Sequence, residues 1–198
     1  MTGMGQDIGA FLVHTLFTIY IVIVMLRVLL ALVRADFYNP MSQFIVRATN
    51  PVLVPFRRLI PSIGRIDTGA IVLLLLLKLI ELALLLMLGG GNFGQSMSVL
   101  PLLLFMAVFE LIRLLINVYI FALIIQAVLS WVSPGAYGNP MALLLYSLTE
   151  PLLRPIRNIL PPMGMIDFSP MAAIILLYIL QIVLNHAMQG IISGLAGG

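Results

Sequence analysis

The sequence predicts an all-α membrane protein with four transmembrane helices in two tandem repeats of the same orientation, each with a proline-rich amphipathic elbow at the membrane interface. Three observations lead to this fold class. Of 198 residues, 62% are apolar and 9% are charged, whereas about 25% of residues are charged in soluble domains. Four apolar stretches are long enough to cross a bilayer, which takes roughly 20 residues. A stretch of 29 residues also occurs twice.

The duplicated stretch covers residues 39–67 and 139–167, which align without a gap at an offset of 100 positions. Twelve of the 29 aligned positions are identical: Asn39, Pro40, Met41, Thr49, Pro51, Leu53, Pro55, Arg57, Pro61, Gly64, Ile66 and Asp67 with their partners. Such self-similarity indicates an internal repeat. The chain therefore divides into a first repeat, 1–88, an outer glycine-rich loop, 89–101, and a second repeat, 102–198.

The first repeat comprises a span at 8–33, a connector at 34–67 and a span at 68–88. A helix beginning at Asn39 places Met41, Phe44, Ile45 and Ala48 on an apolar face and Ser42, Gln43, Arg47 and Thr49 on a polar face. That pattern is typical of a helix lying in the interface. Prolines at 51, 55 and 61 are expected to break anything longer. We therefore expect an elbow of two short helices, ended by a turn at Gly64.

The second repeat has the same plan, with a span at 102–132, a connector at 133–167 and a span at 168–192. The duplicated polar residues precede predicted helices, where short polar side chains act as caps. They could instead form a partner-binding surface. The residues concerned are Asn39, Thr49, Asp67, Asn139, Thr149 and Asp167.

Basic residues are concentrated in the two connectors, which contain seven of the ten in the chain: Arg34, Arg47, Arg57, Arg58, Arg65, Arg154 and Arg157. Cytoplasmic loops carry an excess of Lys and Arg, so both connectors are predicted to be cytoplasmic and both termini outside. The two repeats would then be related by a pseudo-twofold axis along the membrane normal, unlike inverted transporter repeats. Arginines at such a surface either mark the interface or bind anionic lipid or a partner.

Ionisable residues inside spans are costly and are usually paired or line a pathway. Lys78 and Glu81 share a helix face, as do Glu110 and Arg113. Counted outward from the glycine loop, Lys78 and Glu110 lie at similar depth, so we expect these four residues to form a quartet that locks the second and third spans together. An ion or proton route is the alternative. His14 and His186, near the outer ends of their spans, are expected at the surface or in packing contacts.

In each copy, ten positions separate an arginine from an aspartate at the start of the next span. A proline and a glycine in the intervening segment favour a reversal of the chain. We therefore expect Arg57 to fold back on Asp67, and Arg157 on Asp167, fastening each elbow to the following transmembrane helix.

The doubled signature Asn-Pro, Thr-x-Pro-x-Leu-x-Pro-x-Arg and Pro-x-x-Gly-x-Ile-Asp resembles the YggT family, also called the YlmG family, over nearly the whole chain. The copies differ after Asp67, where Thr-Gly replaces Phe-Ser-Pro, and at Asn50, which is Glu150 in the second copy. The resemblance implies a small multi-pass protein of the bacterial inner membrane, from a family with plastid relatives. It also implies links to cell division, nucleoid distribution, osmotic tolerance and cytochrome maturation, and it supplies no catalytic residue.

The sequence argues against an enzyme, because it has no phosphate-binding loop, no haem-attachment motif and no plausible Ser-His-acid set. It contains no cysteine, which excludes disulfides and thiolate metal sites, so we expect no cofactor and no metal. Two hypotheses remain. The first is a membrane scaffold or assembly factor that binds anionic lipid and an unidentified protein, without nucleic acid. Gly190 and Gly194 in the last turn of the fourth transmembrane helix offer a small-residue face for a homo-oligomer. The second is an ion-conducting or transport protein that uses the buried charges.

Overall fold

The computed structural model describes residues 3–64, 66–91, 96–132, 139–159 and 167–196. These residues form six α-helices: α1 (Met4–Leu32), α2 (Pro40–Leu59), α3 (Thr68–Leu88), α4 (Ser96–Val132), α5 (Pro140–Ile159) and α6 (Ser169–Ala196). Within these ranges the only β-structure is an isolated bridge between Ile63 and Ile66. The all-α prediction is confirmed.

Four of the helices are long and apolar enough to cross a membrane. The qualifying segments are Met4–Leu32, Thr68–Leu88, Val99–Leu129 and Ser169–Gly194. They correspond to the spans predicted at 8–33, 68–88, 102–132 and 168–192, and the second has the predicted bounds. Large apolar side chains along them are exposed, such as Phe121 on α4 at 65%, as expected for surfaces that contact lipid.

The connectors are not broken into two short helices, and that prediction was wrong. α2 and α5 are each continuous over 20 residues, although each contains two prolines. Proline removes one backbone hydrogen bond and clashes with the preceding turn. Pro51 and Pro55 lie one turn apart on the exposed side of α2, away from the buried Thr49 and Leu53. α2 does end just before Pro61.

The predicted division of α2 into an apolar and a polar face was also wrong. Met41 and Phe44 are exposed, at 39% and 59%. The stripe that packs inward combines the polar Ser42 and Thr49 with Ile45 and Leu53, all buried. Polar residues can occupy this stripe because part of its polar surface is hydrogen-bonded, as described below for Thr49.

The capping predictions are confirmed for the aspartates and asparagines. Asp67 accepts a hydrogen bond from the Ala70 amide at 3.2 Å, and Asp167 accepts one from the Ser169 amide at 2.9 Å. Asn39 and Asn139 each accept one from the amide two positions later, also at 2.9 Å. The Asn39 side chain in addition donates to the Pro140 carbonyl at 2.6 Å.

The threonine prediction fails, because Thr49 and Thr149 lie inside α2 and α5 and are 0% exposed. They are neither caps nor part of an exposed partner surface. Gly64 has the expected left-handed conformation, with φ of 62°. The predictions that concern Arg65, residues 92–95 of the glycine loop, and positions 133–138 and 160–166 of the second connector lie outside the described residues.

The chain forms two compact units. The first contains residues 1–31 and 45–112, and the second contains residues 32–44 and 113–198. The second unit has an apolar core in which Ile116, Ile120 and Leu123 of α4 pack with Leu153 of α5 and with Ala173 and Leu177 of α6. In the first unit, buried apolar residues lie on α1, α2 and α3, with Ile21, Val24 and Leu53 at 0% exposure. The division into repeats at 1–88 and 102–198 remains a prediction.

Candidate functional site

An ion pair joins the last turn of α2 to the start of α3, as predicted. The Arg57 Nε atom lies 3.0 Å from Asp67 Oδ2, and Nη2 contacts the same oxygen. Asp67 is 8% exposed, and its other oxygen caps α3. The two helices also approach closely, since a Cβ at Gly69 would lie 3.4 Å from the Arg57 amide nitrogen and the Ile60 carbonyl oxygen. Arg57 is therefore part of the framework and is held in place.

The equivalent pair in the second unit is also present. Arg157 Nε lies 2.9 Å from Asp167 Oδ2, and Nη1 lies 2.7 Å from Glu150 Oε2. Burial by itself raises the pKa of Asp167, but hydrogen bonds from Ser169 and Arg157 outweigh it and hold that pKa below its ordinary value. Burial likewise lowers the pKa of Arg157, and the contacts with Asp167 and Glu150 reverse this and raise it. The carboxylate and the guanidinium are thus held in their charged forms.

Arg27 of α1 is a buried cation with neutral partners on α2. It is 8% exposed, and its Nη1 atom donates to the Val46 carbonyl at 3.0 Å, to Thr49 Oγ1 at 2.6 Å and to Asn50 Oδ1 at 2.8 Å. The Thr49 hydroxyl donates in turn to the Ile45 carbonyl at 2.8 Å. This cluster ties the connector-side end of α1 to the middle of α2.

The second unit has a neutral counterpart of the Arg27 cluster. Thr149, aligned with Thr49, lies within hydrogen-bond distance of the side-chain oxygen of Gln126 on α4 and, at 2.9 Å, of the Leu145 carbonyl. Its single hydroxyl proton is donated to one of these two acceptors at a time. The duplicated threonine therefore makes the same kind of contact in both units, a hydrogen bond with a polar side chain of the preceding span.

A second buried polar cluster joins α1 to α3. The Lys78 Nζ atom lies 3.1 and 3.0 Å from the two carboxylate oxygens of Glu81, and His14 Nδ1 lies 2.7 Å from Glu81 Oε1. Glu81 is 0% exposed and the His14 side chain is 57% exposed. His14 was predicted to lie at the surface or in packing contacts, and its hydrogen bond with Glu81 was not predicted. This hydrogen bond is the contact in the cluster that joins α1 to α3.

The Glu81 position also has a neutral counterpart. Gln181, aligned with Glu81, donates to Asn117 Oδ1 at 3.0 Å and so links α6 to α4. His186 of α6 interacts with the Ile182 carbonyl within its own helix at 2.9 Å and is exposed. At these two aligned positions, 81 and 181, a polar link between helices recurs in both units, with a charged group in the first and a neutral group in the second.

Glu110 and Arg113 each take part in a polar or electrostatic interaction. The predicted partnership of Lys78 with Glu110 remains a prediction, as does the quartet. Arg58 of α2 and Arg154 of α5 are exposed. In the described part of the chain, no three side chains of the kinds that bind metal ions come together.

Sequence reasoning missed several contacts, among them those of Arg27, Gln126 and His14. A signal existed for Arg27, because an arginine inside a span must find acceptors and the threonine retained in both copies could supply one. No comparable signal pointed to Gln126 or His14. Their partners lie 23 and 67 positions away, and only the packing of the helices brings them together.

Comparison with known proteins adds the family. The sequence profile of the CCB3/YggT family matches residues 6–88 and 105–188. The chain is 46% identical to a Pseudomonas aeruginosa protein over 183 residues, which covers 91% of each chain. It is 41% identical to a Vibrio alginolyticus protein over 160 residues, covering 81% of this chain and 84% of the relative.

The YggT protein of Escherichia coli (strain K12) is 35% identical over 179 residues, covering 90% of each chain. No solved structure matches this chain. The profile matches both halves of the sequence, and the relatives are similar over most of their length. The chain therefore belongs to the CCB3/YggT family.

Proposed function

We propose that this protein is a non-enzymatic scaffold or assembly factor of the bacterial inner membrane. In this proposal α2 and α5 lie along the cytoplasmic interface as a platform for lipid and for partner proteins. The observation that carries the proposal is the repeated fastening: Arg57 binds Asp67, and Arg157 binds Asp167, so each connector helix is tied to the start of the next span.

A connector helix that is bound at its middle and at its C-terminal end is restrained from moving away from the membrane. Each connector helix directly follows one span and precedes another, and a polar contact near its middle, at Thr49 or Thr149, binds it to the preceding span. Both helices still expose large apolar side chains, including Phe44 at 59% and Tyr146 at 49%. Exposed apolar side chains beside arginines are typical of helices that lie in the headgroup region.

The distribution of basic residues supports a cytoplasmic location for both connectors. Seven of the ten basic residues lie in the two connectors, and such an excess marks cytoplasmic segments. Both termini are then outside, and the two repeats enter the membrane with the same orientation. The family resemblance suggested links to cell division, osmotic tolerance and cytochrome maturation, and all three processes involve assemblies at this membrane. A homo-oligomer would present several copies of the two connector helices side by side.

Site-specific photocrosslinking in living bacteria tests the platform. A photoreactive amino acid at Phe44 or Tyr146 should give a defined protein adduct, because both side chains are exposed on the connector helices. The matched control is Phe121, which is 65% exposed on an apolar span and should give lipid adducts alone. Adducts as frequent at Phe121 as at Phe44 and Tyr146 would contradict a protein-binding platform.

The second candidate function is ion conduction, which the Lys78–Glu81–His14 cluster favours because Glu81 is fully buried and ionisable groups within spans often mark ion or proton routes. Liposomes with an imposed membrane potential test it. Flux that is lost in Glu81→Gln and retained in Glu150→Gln, a carboxylate outside the spans, would support conduction over the scaffold. Absence of flux in the unaltered protein would exclude it.

A further inference from the structure

We propose that α2, and not α5, carries a binding site for the phosphate of an anionic phospholipid headgroup. This inference rests on the interfacial position of α2 in the proposed function. The site is a shallow depression lined by Arg47, Asn50, Pro51, Val54, Pro55 and Arg58, and we call it the α2 groove.

The α2 groove is cationic without an internal counterion. Arg47 and Arg58 are exposed, neither makes an ion pair with the described residues, and no carboxylate lines the groove. The neighbouring Arg57 differs, because Asp67 neutralises it. Guanidinium groups suit phosphate because they donate several hydrogen bonds in a fixed plane.

Arg27 of α1, which is buried beneath α2, adds to the positive electrostatic potential of the α2 groove. It donates to the side-chain oxygen of Asn50 at 2.8 Å, and its other hydrogen-bond partners are also neutral oxygens. The Asn50 oxygen is occupied by this contact, so the polar group that Asn50 can offer to a ligand is its NH₂ group, a donor. The groove therefore presents donors and positive charge, which select for an anion.

The shape of the groove fits a headgroup at the bilayer surface. Arg47 and Arg58 are eleven positions apart, about 16 Å along a helix, and the residues between them that form the floor are Pro51, Val54 and Pro55. These short apolar side chains leave room between the two long arginines. Exposed Phe44 and Val52 on the same helix provide apolar surface for acyl chains, which a soluble anion would not use.

α5 provides an internal comparison, since its aligned surface lacks these features. Ser147 and Asn158 replace Arg47 and Arg58, and Glu150 replaces Asn50. Glu150 binds Arg157 at 2.7 Å and places a carboxylate where the α2 groove has an amide. Arg154 is a cation on this surface, and it lies where Val54 forms the floor of the α2 groove.

The test is native mass spectrometry of the detergent-solubilised full chain titrated with phosphatidylglycerol or phosphatidylcholine. We expect tighter binding of phosphatidylglycerol. Each of Arg47→Gln and Arg58→Gln should weaken it about fivefold, and the pair about 25-fold, because each change removes one charge-assisted contact with the phosphate in the α2 groove. Arg154→Gln, the matched control on α5, removes an exposed arginine outside the α2 groove and should change it less than about twofold.

Two further variants protect the test against misfolding. Arg47→Lys with Arg58→Lys keeps the charge and should retain most of the selectivity. Ser147→Arg with Asn158→Arg and Glu150→Asn transfers the features of the groove to α5 and should add a second phosphatidylglycerol site. Helical content and melting temperature of every variant would be compared with those of the unaltered chain.

Three outcomes would overturn the inference: equal binding of the two lipids, an equal loss in Arg154→Gln, or displacement of phosphatidylglycerol by inorganic phosphate at equal concentration, which would indicate a site for a free anion. This result is separable from the platform test. Crosslinks at Phe44 without lipid selectivity would refute the lipid site alone, whereas selectivity that depends on Arg47 without protein crosslinks would refute the protein-binding platform alone.

Discussion

Replacing the two duplicated threonines by valine should have unequal effects, although the two changes are chemically identical. Valine keeps the size of threonine and removes its hydroxyl group. In Thr49→Val, buried Arg27 loses its 2.6 Å acceptor, and hydrogen bonds to charged groups contribute about 1.5–3 kcal/mol. In Thr149→Val, neutral Gln126 loses its partner, and neutral side-chain bonds in membranes average about 0.6 kcal/mol.

The expected difference of about 1–2 kcal/mol can be measured as a difference in melting temperature. In a chain of this size about 1 kcal/mol corresponds to roughly 2–4 °C, so Thr49→Val should melt about 2–8 °C below Thr149→Val in one detergent. Far-ultraviolet circular dichroism would follow unfolding. In an Arg27→Met background the charge is gone, and Thr49→Val should then cost no more than Thr149→Val. Equal shifts in the unaltered background would refute the argument that a buried charge sets the cost.

Further predictions follow from the other contacts. Asp67→Asn keeps the cap on α3 and loses the ion pair with Arg57, so it should lower stability by about 1–3 kcal/mol, whereas unchanged melting would contradict the fastening. Because the folded pKa of Asp167 is lowered, its contribution is present above its unfolded pKa of about 3.9 and is lost as pH falls through the lower folded value. The melting temperature should therefore fall more steeply below about pH 4 in the unaltered chain than in Asp167→Asn, and equal acid slopes would count against this assignment. Lys78→Met leaves the buried carboxylate of Glu81 without its cation and should destabilise more than Lys78→Met with Glu81→Gln; if the double variant melts lower, Lys78 does not compensate that charge.

The sequence predicted the spans and the two fastenings because these depend on local signals. Apolar length defines a span, and the spacing of Arg57, Gly64 and Asp67 within one connector specifies a reversal that brings the two charges together. Caps at Asn39 and Asp67 are local in the same sense. These features could be predicted because every residue concerned lies within a short stretch of chain.

The errors concern tertiary packing. Pro51 and Pro55 break an isolated helix, yet α2 continues through them because both prolines lie on its exposed side while Thr49 and Leu53 are buried. The inward stripe of α2 could not be predicted from apolar periodicity, since it contains Ser42 and Thr49. The polar partner of Thr49 is Arg27, which lies on α1. The pattern of apolar and polar residues along α2 therefore could not reveal that Thr49 is buried.

Thiol labelling tests most directly whether α2 and α5 lie exposed at the cytoplasmic interface. The chain has no cysteine, so single cysteines at Gln43 of α2 and Asn158 of α5, both exposed, can be labelled without background. A membrane-impermeant maleimide should fail to modify either position in intact cells and should modify both in inverted membrane vesicles, while a cysteine at Gly3 shows the opposite pattern. Labelling of Gln43→Cys or Asn158→Cys from outside intact cells would contradict the cytoplasmic platform.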